Sequence, residues 1–147
     1  MSEASLTAGQ YAEFVQLGSF DPFAGDRNLV ELSYICLGLA GETGEFIDQV
    51  KKMVRDTPIG FCAVAEFHNT PEYQHLIEEL GDIMWYMTRL MNLLGVTRQE
   101  VLIRNTYKLY ERHKERFPDT PWPFTDPFIS YDNVKERLEN VRVDEKV

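Results

Sequence analysis

Apolar residues recur along this chain at helical spacing, and no alternation of apolar and polar positions runs far enough to predict a strand. A first amphipathic stretch is predicted over residues 7–17, with Tyr11, Phe14 and Val15 on one side and Gly18 closing it. A turn segment, DPFAGD, follows. The second helix is expected over 27–55, ended by Asp56, Thr57 and Pro58, and residues 58–70 show no clear period. Thr70, Pro71 and Glu72 read as an N-cap, a proline at the first helical position and an acidic first turn. They open a third helix that Gly95 stops after Leu94. Thr97 with Glu100 forms a capping box for a fourth helix reaching Arg116. Beyond it FPDTPWPFTDPF holds four prolines, and a short polar helix is expected over 131–140. The prediction is an all-α fold: a helical bundle of four main helices over 1–117. A Pro-rich C-terminal arm, 118–147, packs on the body or on a neighbouring subunit and is not an independent domain.

On a helical wheel at about 100° per residue, Leu32, Ile35, Cys36, Leu39, Thr43, Phe46, Ile47, Val50 and Met53 cover one broad arc of the second helix. Glu42 and Glu45 lie at an edge of it. The third helix repeats the arrangement, with Leu76, Ile77, Leu80, Ile83, Met84, Met87, Leu90 and Met91 in the arc and Glu79 and Asp82 at its edge. Antiparallel packing would bring the two acidic pairs together. Four carboxylates at the border of a core repel one another, and divalent cations relieve that cost; oxygen donors suit Mg²⁺ or Mn²⁺. Either pair alone reads more readily as half of a solvated helix face, and only the two together on matched edges bring the readings level. Gly38, Gly41 and Gly44 surround Glu42, and Gly81 lies between Glu79 and Asp82. Each glycine costs about 1 kcal/mol relative to alanine inside a helix. That fits close approach of another helix, or of a ligand.

Charge narrows the partners. Lys and Arg total 15 against 24 Asp and Glu, a net −9, which repels a nucleic-acid polymer but admits a free nucleotide carried in by cations. The first residues, MSEASLTAGQ, lack the basic and apolar regions of a signal peptide, and no apolar run approaches a membrane span. Cys36 and Cys62 form no CxxC pair, as expected for packed, reduced thiols in a cytoplasmic protein. A di-iron carboxylate bundle would need two Glu-x-x-His motifs, and only Glu72 with His75 matches.

The runs LGLAGETGEFIDQVKK, EELGDIMWYMTRLMNLLG and NTYKLYERH, in that order, resemble the MazG-like all-α nucleoside triphosphate pyrophosphohydrolases over residues 28–117. That family's pattern is ExxE on one helix, ExxD on the next, and an Asn and a Lys on the following one. Here these are Glu42 and Glu45, Glu79 and Asp82, and Asn105 and Lys108. The stretch between the acidic pairs is longer than in the simpler members.

The resemblance implies hydrolysis between the α and β phosphates of a (d)NTP, giving a (d)NMP and pyrophosphate. Two or more Mg²⁺ ions, or Mn²⁺ in their place, would be held by Glu42, Glu45, Glu79 and Asp82, with Glu42 or Glu45 orienting the attacking water. Lys108 would neutralise the leaving pyrophosphate and Asn105 would hold a phosphate. Tyr86 and Lys51 are further candidates for substrate contact, and Asn28 with Tyr11 and Phe14 for a base pocket; a core tyrosine and solvated lysines are the plainer readings. The resemblance also implies a homodimer or homotetramer. A purine such as dGTP is the substrate favoured here, though no base code is legible. The alternative is a non-catalytic acidic helical interaction module whose arm docks a partner.

Overall fold

Side-chain caps set the helix boundaries. The computed structural model of the chain describes residues 5–17, 28–56, 70–116 and 118–144. Thr7 Oγ1 accepts from the Gln10 amide at 3.2 Å while Gln10 Oε1 accepts from the Thr7 amide at 2.9 Å. This reciprocal pair opens α1, Ala8–Leu17. Asn28 Oδ1 accepts from the amides of Val30 and Glu31 at 2.9 and 3.1 Å and opens α2, Leu29–Asp56. Thr70 Oγ1 accepts from the Tyr73 amide at 3.2 Å, Pro71 takes the first helical position, and α3 runs Pro71–Leu94. Gly95 ends it at φ 68°, a left-handed conformation that glycine adopts without steric cost. Thr97 caps α4, Arg98–His113, through the Glu100 amide at 3.1 Å. The turn DPFAGD and residues 57–69, Cys62 among them, lie outside the described residues.

Two ends differ from expectation. α4 stops at His113 rather than Arg116; the Arg116 amide bonds the His113 carbonyl at 3.0 Å, a tighter turn just before Pro118. The last helix, α5, spans Tyr131–Asp144, four residues beyond the expected 140, after a short 3₁₀ turn at Pro127–Ile129. The fold is all-α, four main helices followed by an arm, with no strand among the described residues.

The chain divides into two compact units, 1–95 and 96–147. In the first, α2 and α3 form an antiparallel hairpin. Glu31 near the start of α2 pairs with Arg89 near the end of α3, and Gly38 lies against Tyr86. Further along α2, Glu45 approaches Glu79. α1 packs on α3, burying Val15 and taking a hydrogen bond from Asn92 Nδ2 to the Ala12 carbonyl at 3.1 Å. The Glu31–Arg89 pair spans 2.9 Å, and each residue is 2% exposed. Such a pair fixes register, and removing one partner strands the other charge in the core.

The apolar arcs read from the wheel are wider than the stripes that are buried. Ile35 is buried, but Cys36, Ile47 and Val50 of the α2 arc and Ile77, Leu80 and Met87 of the α3 arc are exposed. One antiparallel partner covers only a narrow strip of a helix, and the rest of each arc faces outward.

In the second unit the Pro-rich segment packs on α4. Trp122 donates from Nε1 to the Ile129 carbonyl at 2.8 Å, and its ring meets Tyr107, Tyr110, Phe124 and Tyr131. Tyr131 donates to Glu111 Oε1 at 2.6 Å, and that bond pushes its phenol up to about 12. Ile103 of α4 and Val134 of α5 are buried.

Candidate metal centre

The ExxE spacing puts Glu42 and Glu45 on one face of α2, and the antiparallel hairpin sets Glu79 of α3 opposite them. One carboxylate oxygen from each of the three lies within 4.8 Å of the others. Their settings differ: Glu79 is buried, Glu42 half-buried and Glu45 exposed. Burial, and then the negative charges of Asp82, Glu45 and Glu79, hold the Glu42 carboxyl above its ordinary value. Asp82 is exposed; it falls outside the close trio but within electrostatic reach of Glu42. Tyr11 of α1 stands on the same side, its phenol raised by burial and then by Asp82.

Glu79 Oε2 is buried with no hydrogen-bond partner among the described residues. An unmade bond at a buried charged oxygen costs free energy that a cation would recover. With three carboxylates close together and a buried, unpartnered oxygen on Glu79, the set fits a hard divalent ion such as Mg²⁺.

Beside the trio lies a concavity of about 260 Å³, lined by Gly41, Gly44, Glu45, Asp48, Gln49, Lys52, His75 and Glu79. A Cβ at Gly41 or Gly44 would meet nothing within 4 Å, so both glycines leave the wall open rather than admit a neighbour. Gly38 behaves differently, because an added Cβ would fall 2.1 Å from Tyr86 Cε1. There the missing side chain lets the tyrosine ring lie on the α2 backbone.

The remaining sequence candidates are placed as follows. Tyr86 is half-buried against Gly38, with its ring edge-on to Trp85 at 4.8 Å between centroids. Lys51 pairs with Asp48, as does Lys52 at 2.9 Å, and together they pull the Asp48 carboxyl down to about 2. Asn28 uses its side-chain oxygen to cap α2. Asn105 and Lys108 are exposed on α4, in the second unit, three residues apart and so on one face.

Periodicity passed over Glu31 with Arg89, and it noticed His75 only as half of an iron motif. For His75 the usable signal was its place four residues before Glu79, which puts both on one helix face.

The fold and the acidic segments together define an all-α hairpin that brings the ExxE pair of one helix to Glu79 in the ExxD segment of the next. The MazG nucleotide pyrophosphohydrolase domain matches residues 31–117, and the chain belongs to that family. The match covers α2, α3 and α4, the elements that carry every residue of the acidic, Asn and Lys pattern. The "Gene 37 protein" of Mycobacterium phage L5 is 42% identical over 92 residues, which is 62% of this chain and 75% of that protein. No solved structure matches the chain.

Proposed function

We propose that the protein is a Mg²⁺-dependent (d)NTP pyrophosphohydrolase that cleaves between the α and β phosphates. The observation that carries this reading is the Glu42–Glu45–Glu79 trio with its orphaned buried oxygen, in a chain of the MazG family. Glu42, Glu45, Glu79 and Asp82 would hold the ions. When bound, Mg²⁺ screens the triphosphate charge and makes water more acidic.

The protein's own groups supply the rest. Glu45, an exposed residue of the concavity's wall, or Glu42 orients the attacking water and takes its proton. The bond from water oxygen to the α-phosphorus forms as the bond to the bridging oxygen breaks. Pyrophosphate leaves; by the family pattern, Lys108 would meet its charge and Asn105 would hold a phosphate oxygen. Tyr86, Lys51 and Asn28 each already have an intramolecular partner that a substrate would share. Tyr11, on the Asp82 side, and Phe14, whose ring lies 6.4 Å from it, are the aromatic groups offered to a base. A purine such as dGTP is the substrate to try first.

A homodimer or homotetramer would cover the exposed Ile77, Leu80, Met87 and Leu94 of α3. No described helix is long and apolar enough to cross a membrane.

The test is pyrophosphate release across a panel of ribo- and deoxynucleoside triphosphates. Mg²⁺-dependent release, abolished by EDTA, by Glu42→Gln and by Asp82→Asn at unchanged helical content, is the expected result. Full rate in chelator or in either variant removes the carboxylate site, and no release from any nucleotide leaves the helical interaction module.

A further inference from the structure

We propose that His75 is a positioning residue for Glu79: it holds one carboxylate oxygen so that the other faces a divalent cation. This rests on the cation-dependent reading above.

The His75 ring sits one helical turn before Glu79 with Nε2 3.4 Å from Oε1, and its Nδ1 lies 3.5 Å from Glu78 Oε2. The Glu79 side chain is only 9% exposed, and Oε2 has no hydrogen-bond partner among the described residues. One of its oxygens lies within 4.8 Å of those of Glu42 and Glu45. The two oxygens are thus inequivalent: His75 Nε2 lies near Oε1, while Oε2 is buried without a hydrogen-bond partner among the described residues.

A glutamate's terminal torsion is broad, so its rotamer alone does not fix which oxygen faces which way. Something beyond the glutamate must do so, and His75 Nε2, 3.4 Å from Oε1, is placed to do it when it carries the ring proton. Outer partners of ligating carboxylates are typically worth 10- to 100-fold in metal affinity. Half of the His75 side chain is exposed, which places the effect at about the tenfold end of that range. His75 and Glu79 also share the wall of the concavity beside the trio, so the held oxygen and the open space lie together.

The experiment measures Mn²⁺ dissociation constants on the full chain by electron paramagnetic resonance of free Mn²⁺, without nucleotide. His75→Ala weakens binding about tenfold. His75→Asn, too short to reach Oε1, behaves like alanine, and His75→Gln, whose amide reaches it, recovers most of the loss. In a Glu79→Gln background His75→Ala has no further effect, because its route to the cation is gone. These results hold at unchanged far-ultraviolet circular dichroism.

Wild-type binding with His75→Ala within about twofold of it overturns this proposal alone. So does a full additional loss on top of Glu79→Gln. Wild-type protein that binds no Mn²⁺ overturns both this proposal and the function it rests on.

Discussion

Replacing Gly38 with alanine sets two opposed effects against each other at one position. Inside α2 the substitution removes glycine's excess backbone freedom, a gain of about 1 kcal/mol. The added Cβ, however, would lie 2.1 Å from Tyr86 Cε1, 2.3 Å from Cζ and 2.7 Å from the hydroxyl oxygen. Carbon atoms in contact sit roughly 3.5–4.0 Å apart, so the ring must leave the α2 surface or the helices must part. Trp85, edge-on to that ring at 4.8 Å, restricts the directions in which it can swing. Overpacking of this kind costs about 1–3 kcal/mol. The sum runs from near zero to a net destabilisation of about 2 kcal/mol once the helix gain is subtracted. Urea unfolding reads it as a lower midpoint at constant slope. Gly41→Ala, Gly44→Ala and Gly81→Ala meet nothing within 4 Å and should move the midpoint the other way. Each gains about 0.5–1 kcal/mol. In a Tyr86→Ala background the Gly38→Ala penalty should vanish and the helix gain emerge. A Gly38→Ala midpoint raised as far as that of Gly41→Ala, with Tyr86 intact, refutes the packing explanation.

Glu31→Ala alone, or Arg89→Met alone, should cost about 3–5 kcal/mol, while Glu31→Leu with Arg89→Met should recover most of it; a double variant as unstable as the singles contradicts this in the same urea assay. The raised Glu42 carboxyl gives a pH dependence with a definite sign. Its folded form binds a proton more readily than the unfolded chain does. Its contribution is therefore fully present below the ordinary value of 4.5 and is lost as pH rises through the raised folded value. In EDTA, Glu42→Gln should be more stable than wild type at pH 7, and the gap should close below pH 4; no gap at pH 7 sinks the assignment. Adding Mg²⁺ to chelator-free wild type should raise its unfolding midpoint and leave a Glu42→Gln, Glu79→Gln double variant where it was. An equal rise in both places the ion elsewhere.

Much of this arrangement was legible in the sequence because it depends on local chemistry. Thr70 with Pro71, Gly95, and Thr97 with Glu100 act where their residue types predict, since capping needs only neighbours three or four positions away. The ExxE and ExxD spacings fixed which face each acid occupies. What stayed hidden depends on contacts distant in the chain. Glu31 and Arg89 read singly as solvated charges, and only the hairpin register joins them 58 positions apart. Gly38 and Gly41 look alike in sequence, yet Tyr86 occupies the space beside one and nothing lies beside the other. The width of the apolar arcs could not show which half a neighbouring helix covers. Asp82 shows the remaining distance between pattern and geometry: it shares a face with Glu79 but stands off from the close trio.

The proposed reaction is tested most directly by hydrolysing a nucleoside triphosphate with Mg²⁺ in ¹⁸O-labelled water and weighing the products. Attack of water on the α-phosphorus predicts the label in the nucleoside monophosphate and none in the pyrophosphate. Label in pyrophosphate, or release of orthophosphate and a nucleoside diphosphate, would contradict it.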